Sequence, residues 1–250
     1  MSWLNFELSF ATASIAIGIL VLLMLLYSSI VYVPNNRVGI LERLWAPKGS
    51  VTQGIIALQG EAGYVPDLLR GGFHLLFPFQ YRVHKADLVT VPQGEIGYVF
   101  ARDGKPLEPG QSLAANAQAD DFESVRDFLA AGGQKGPQRK VLREGVYAIN
   151  TAQFVVLTRA TTYALELALS DGSTIDAMRS QIQARDGFHP IVINDAKDSI
   201  AIVTVHDGPG LPAGELIAPA VGADRRIVAT YHNSFQDADR FLVAGGFRGR

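Results

Sequence analysis

Between Glu7 and Arg37 the chain carries no charged side chain, and the centre of that run reads SIAIGILVLLMLLYSSIVYV. Nothing else in the sequence constrains the fold as tightly. A bilayer offers no water to backbone amides and carbonyls, so an apolar stretch of this length reads as a transmembrane helix that satisfies them internally. Residues 10–33 would reach about 36 Å at about 1.5 Å per residue, against a hydrocarbon core of about 30 Å. Trp3 and Tyr32 stand near the two ends, where aromatic side chains favour the interface. A processed signal peptide is the competing reading, but no Lys or Arg precedes the run and no small-x-small cleavage site follows it. A buried helix of a soluble protein is the third. The flanks offer Glu7 on one side and Arg37, Arg43 and Lys48 on the other, so the positive-inside rule predicts a single-pass cell-membrane protein with its bulk in the cytoplasm.

The rest of the composition excludes more than it suggests. With 22 basic and 24 acidic residues, a net charge of −2, there is no electrostatic ground for a nucleic-acid partner. The absence of cysteine rules out disulfides, thiol nucleophiles and Cys-ligated zinc. Beyond Pro34, short apolar runs cut by Gly and Pro (RVGILERLW, GFHLLFPF, EIGYVFA, FVVLT, PIVI and IAIVTV) predict strands. Three helices are signposted. Residues 120–131 carry an Asp120/Glu123 cap with Phe122, Val125 and Leu129 inward. Residues 173–185 carry a Ser173/Asp176 cap with Ile175, Met178 and Ile182 inward, and residues 234–244 carry Ser234 and Asp237. The predicted class is α+β: one N-terminal transmembrane helix and a β-rich body.

That body repeats itself. IGYVFARDGKPLEPGQSLA at 96–114 aligns without a gap with IAIVTVHDGPGLPAGELIA at 200–218, and FESVRDFLAAGGQKG at 122 aligns with FQDADRFLVAGGFRG at 235. A fainter match pairs Pro34 and Val38-Gly39-Ile40 with Pro92 and Ile96-Gly97-Tyr98, and LRGGFH at 69 with LREGVY at 142. The organisation expected is a tail at 1–7, a membrane helix at 8–33, a first unit at 34–91, a second at 92–192 and a third, incomplete unit at 193–250. Because the third unit lacks its own L-R-x-G turn, the chain reads as part of a longer protein.

The opening of the body, YVPNNRVGILERLWAP followed by LRGGFHLLFPFQYRVHKADL, resembles the SPFH or band 7 family of stomatins, prohibitins and flotillins. Pro34, Val38, Gly39, Glu42, Arg43 and Leu44 fit the first part of the family pattern, and Gly72, His74, Pro78, Phe79 and Val83 the second. Trp45 stands where the family often has Gly, Gly71 replaces a Pro, and residues 46–67 form a long insert. The segments RDGKPLEPGQSLA and HDGPGLPAGELIA look like the bacterial flotillin-like branch. The resemblance implies an oligomeric ring or cage on membrane lipids, a scaffold for membrane microdomains with no catalytic residues and no cofactor, and a companion such as an NfeD-type membrane protein or a membrane protease. An adaptor that regulates such a protease is the alternative reading.

Four features invite a chemical reading. His206-Asp207, in VHDGPGLPAGELIA, would suit an acid/base pair in a hydrolase, but the aligned position of His206 is Arg102 while Asp103-Gly104 matches Asp207-Gly208, which predicts a turn. His74, His84, His189 and His232 lack metal-ligand spacing, and His74 aligns with Tyr147, which predicts packing or hydrogen bonding. GGQKGPQRK at 132–140 follows a helix and lacks the P-loop pattern, so a solvated loop or lipid-headgroup contact is expected. In GGFHLLFPFQY, Phe73, Leu75, Phe77 and Phe79 alternate, which predicts a core strand, with a hairpin dipping into the headgroups as the sharper option.

Overall fold

The computed structural model describes residues 2–115, 122–167, 170–193 and 200–249, with residues 2–11 described by backbone alone. It divides into two compact units, Met1–Thr52 with Ile56–Asp87, and Gln53–Ile55 with Leu88–Arg250.

The first unit begins with α1 (Ser2–Ser29), a 28-residue helix whose window Thr12–Ser29 has a mean hydropathy of 2.1. It is long and apolar enough to cross a membrane. Residues 12–28 are exposed on every side, so α1 is no core helix of this unit. The helix stops earlier than the apolar run does. Ser28 and Ser29 turn their hydroxyls back onto the Leu25 carbonyl at 2.8 and 2.7 Å. The last four apolar residues form β1 (Ile30–Val33), whose β-branched residues suit a strand. Beyond the Pro34 turn come β2 (Arg37–Arg43), β3 (Gly63–Leu69), β4 (Gly72–Leu75) and β5 (Tyr81–Asp87). β2 lies between β3 and β5, and β1 pairs with β4, all antiparallel. Val33, Val38 and Ile40 fill the core. Gly39 is needed there, because a Cβ would sit 3.0 Å from Val83, 3.1 Å from the Leu69 Cβ and 3.2 Å from Val33.

In the second unit, β6 (Val89–Val91), β7 (Tyr98–Ala101), β8 (Gly136–Pro137), β9 (Gly145–Tyr147), β10 (Phe154–Leu157) and β11 (Thr162–Tyr163) form two antiparallel sheets, β6-β9 and β11-β10-β7-β8. β10 is the centre of this unit. All four of its residues are buried, which is why FVVL is continuously apolar. Val155 and Leu157 face a cluster with Phe100, Phe188 and Ile175, the last on α3 (Gly172–Ala184), with Met178 and Ile182 packed against it. Phe154 faces the other way, against Phe122 and Phe128, its ring centroid 5.1 and 5.0 Å from theirs. Phe128 belongs to α2 (Val125–Ala130), and α4 (Ala238–Val243) lies near the end of the chain.

Several expectations change in detail. Asp120 lies outside the described residues, and α2 is capped instead by Ser124, whose hydroxyl accepts the Asp127 N–H. The buried residues of α2 are Val125 and Phe128. α4 begins at Asp237, whose carboxylate accepts the Arg240 N–H, so Ser234 is not its cap. α3 starts at Asp171 with no side-chain cap, because that carboxylate is engaged by Arg102. PIVI and IAIVTV contribute no strand among the described residues. Ala201–Thr204 make no backbone hydrogen bond there, and without a partner an alternating pattern alone does not make a strand.

Candidate functional site

Two features of the chain stand out once the backbone is in place, an apolar rim on the first unit and a set of polar latches on the second. The rim is built by β1 and β4. Pairing of Val31 with His74 and Tyr32 with Phe73 brings the two aromatic rings to 4.9 Å. The Leu76 N–H donates to the Ser29 carbonyl at 2.8 Å, so the end of β4 is fastened to the end of α1. Phe73, Leu75, Phe77 and Phe79 are 69–78 % exposed. The core-strand expectation therefore fails: the period of two is present, but the face it defines is covered by nothing in this unit. Four large apolar side chains in water at the foot of a membrane-length helix form an exposed patch of the kind that marks an interaction surface.

His74 takes no part in that rim. Its Nε2–H donates to the Arg70 carbonyl at 2.7 Å, closing the L-R-x-G turn. Tyr147 does the same in the second unit, its hydroxyl donating to the Arg143 carbonyl at 2.9 Å. The surroundings correspond as well. Val33 pairs with Gly72 as Val91 pairs with Gly145, and a Cβ at Gly97 would press on Val91 and Leu142 as one at Gly39 would on Val33 and Leu69.

The latches centre on the Asp-Gly turns. Asp103 accepts the Ile55 N–H at 3.0 Å and the Gly104 N–H at 2.8 Å. Asp207 accepts both the N–H and the hydroxyl of Ser112 at 2.9 Å through Oδ1, while Arg139 donates to its Oδ2 at 3.2 Å and also to Asp239. Each turn aspartate thus holds a backbone N–H from a distant loop. Burial alone would raise the Asp207 carboxyl, but the bonds from Ser112 and Arg139 prevail and hold it below the ordinary carboxylate range. A depressed folded-state value stabilises the protein above the unfolded value of about 3.9, and the contribution is lost as pH falls through the folded value. Asp207→Asn is therefore expected to cost about 1–3 kcal/mol at pH 7, with the deficit against the native protein vanishing as pH falls below about 4. Hydrogen exchange of the Ser112 amide across that range measures it.

His206 is exposed and makes no hydrogen bond to Ser112 or Asp207, so no Ser-His-Asp relay is assembled among the described residues. Its counterpart Arg102 is buried. The guanidinium reaches Asp171 at 2.7 Å and the carbonyls of Leu165, Thr151 and Ala152 at 2.8, 3.2 and 3.4 Å. The sequence reading missed this hub and the Ser112 latch, since both join residues that are far apart in the chain. The loop at 132–140 is not solvated as expected: it supplies β8, buries Gln138 and directs Arg139 onto Asp207.

The other histidines are separately engaged. His84 meets Glu42 at 2.8 Å, His189 meets Asp186 at 3.2 Å, and His232 is buried, its Nε2–H on the Val221 carbonyl and its Nδ1 accepting the Phe235 N–H. Among the described residues no cluster of three or more His, Asp or Glu is placed to hold a metal ion. Comparison of the chain with protein-family models, with curated proteins and with solved structures finds no match.

Proposed function

We propose that this chain is a non-enzymatic, single-pass membrane scaffold of the band 7 type, whose β-rich body consists of repeated units, faces the cytoplasm and assembles into a ring or cage that organises lipids and membrane proteins. The observation that carries the reading is the rim. A helix long enough to span a bilayer runs directly into β1, and the strand paired to it exposes Phe73, Leu75, Phe77 and Phe79 at that junction. Burying a side chain of this size is worth about 1.5–3 kcal/mol, so the rim favours lying in the headgroup region, where amphipathic surfaces of peripheral elements settle. The corresponding geometries around Gly39 and Gly97, and around His74 and Tyr147, support the repeated units. The sequence resemblance supplies the family, and the basic residues Arg37, Arg43 and Lys48 after the helix supply the orientation.

The absence of native cysteine makes a direct test simple. A single environment-sensitive fluorophore at Leu75→Cys in the intact, liposome-reconstituted chain is expected to emit as in an apolar medium and to be quenched by lipids spin-labelled near the headgroup. The same label at Val243→Cys, on α4, serves as the aqueous control. Equal, water-like emission at both positions would remove the rim from the membrane and with it the main support for the reading.

A further inference from the structure

A second apolar surface lies far from the rim in sequence, and the repeated-unit reading on which it rests says what should cover it. Residues 96–136 and 200–249 share more than their aligned letters. Phe122 and Phe235 both adopt positive φ, 60° and 65°. Each precedes a six-residue helix, and each helix is closed by a glycine N–H donating back to a phenylalanine carbonyl, Gly133 to Phe128 at 2.8 Å and Gly246 to Phe241 at 3.0 Å. The Lys135 N–H reaches the Lys105 carbonyl at 2.9 Å, and the Arg248 N–H reaches that of Pro209 at 2.8 Å. Gly136 pairs with Ala101, and the Gly249 N–H donates to the Val205 carbonyl at 2.8 Å. Segment 202–205 is thus the counterpart of β7, and 248–249 that of the start of β8.

The counterpart of β10 is what differs. In the second unit all four residues of β7 pair with β10, and Val99, Ala101 and Phe122 are fully buried. At 202–205 no strand takes that side among the described residues. Ile202 is 91 % exposed, Val203 48 % and Phe235 46 %, and the space beside them is a cleft of about 890 Å³ lined by Val203, Val205, Leu211, Phe235, Phe241 and Phe247. His232 closes one side of the Phe235–Phe241 pair, with ring centroids at 4.9 and 5.4 Å, and leaves the backbone edge open. Ala201–Thr204 offer their N–H and C=O groups to no backbone partner in the described chain. A lipid tail could cover the apolar groups and would strand those polar ones; an extended polypeptide satisfies both.

We propose that this edge is a strand-acceptor site for a protein partner: an extended segment with the chemistry of β10, four successive apolar residues rich in β-branched side chains, adds antiparallel to 202–205 and fills the cleft. The register of β10 on β7, with Val156 opposite Val99 and Leu157 opposite Tyr98, transfers to Val203 and Ile202.

The test uses the intact chain in lipid nanodiscs and a labelled peptide copying residues 151–160, with a photoreactive benzophenone side chain in place of Val156. Saturable binding, cross-linking centred on Val203, and at least a tenfold loss of affinity in both Val203→Asp and Ile202→Lys are expected. Ile202 is exposed, so its substitution leaves folding intact. Absence of saturable binding would overturn the acceptor site while leaving the repeated units standing. Binding with cross-links away from Val203 would overturn the register, and with it the repeat equivalence from which the register was drawn. Self-association of the chain that the peptide competes away and Val203→Asp abolishes would assign the edge to a second copy and overturn the partner.

Discussion

Replacing Arg102 by alanine is expected to destabilise the second unit by about 3–5 kcal/mol, the usual result of removing one member of a buried ion pair. The side chain is 5 % exposed and its partner Asp171 16 %. Truncation leaves that carboxylate without its counter-charge and withdraws a donor from the carbonyls of Leu165, Thr151 and Ala152. These contacts tie the end of β7 to the loops on either side of β10 and to the start of α3, so the loss spreads to the whole sheet. Amides of β7 and β10 that exchange by unfolding of the unit should accelerate by two to three orders of magnitude. Arg102→Lys should restore little, because an ammonium group cannot divide its donors between a carboxylate and several carbonyls as the planar guanidinium does. Removing both charges together, with Arg102→Met and Asp171→Leu, should cost much less than Arg102→Ala alone.

Phe154→Ala is the second large loss, again about 3–5 kcal/mol. The ring meets Phe122 and Phe128 edge to face, and all three side chains are shut away from solvent. Such aromatic pairs contribute about 0.5–1.5 kcal/mol beyond area burial. Neighbours cannot collapse into the gap readily, because β10 is held on both edges, by β7 and by β11, and Val155 and Leu157 anchor it from the opposite face. A fall of roughly 6–20 °C in the melting temperature of the second unit is expected. Phe154→Leu keeps most of the volume and should lose less than half as much. The measurement also bears on the strand-acceptor cleft, since it shows how much a single side chain of this central strand contributes where the same groove is filled.

These two residues illustrate what could and could not be read in advance. FVVLT announced a buried strand because four consecutive apolar residues between turn signals have few other uses, and it is one. The aligned Asp-Gly turns told correctly against treating His206 as a base, since the first copy keeps the turn and not the imidazole. His74 and Tyr147, matched only by alignment, make the same bond to the carbonyl four residues back. Arg102 and Asp207 were legible as letters and not as hubs, because their partners lie between 49 and 95 residues away and no local period encodes them. Helix starts were misplaced for a related reason: several Asp, Ser and Glu precede each helix, and the backbone selects one cap among equivalent candidates. In GGFHLLFPFQY the alternation was real, but burial is set by what packs on a face, and in the first unit nothing does. PIVI and IAIVTV had strand composition and no partner. A pattern in the chain declares what a segment could pair with, and tertiary context decides whether it does.

The band 7 scaffold reading stands or falls on assembly. The most direct measurement is the copy number of the intact chain extracted with its surrounding lipid into polymer nanodiscs and weighed particle by particle, then imaged. The expected result is a discrete large species with many copies arranged in a closed ring or cage, each contributing one α1 to the lipid. Particles containing one or two copies at every protein density tested would contradict it, and would leave a membrane-anchored protein whose exposed edges serve partners one at a time.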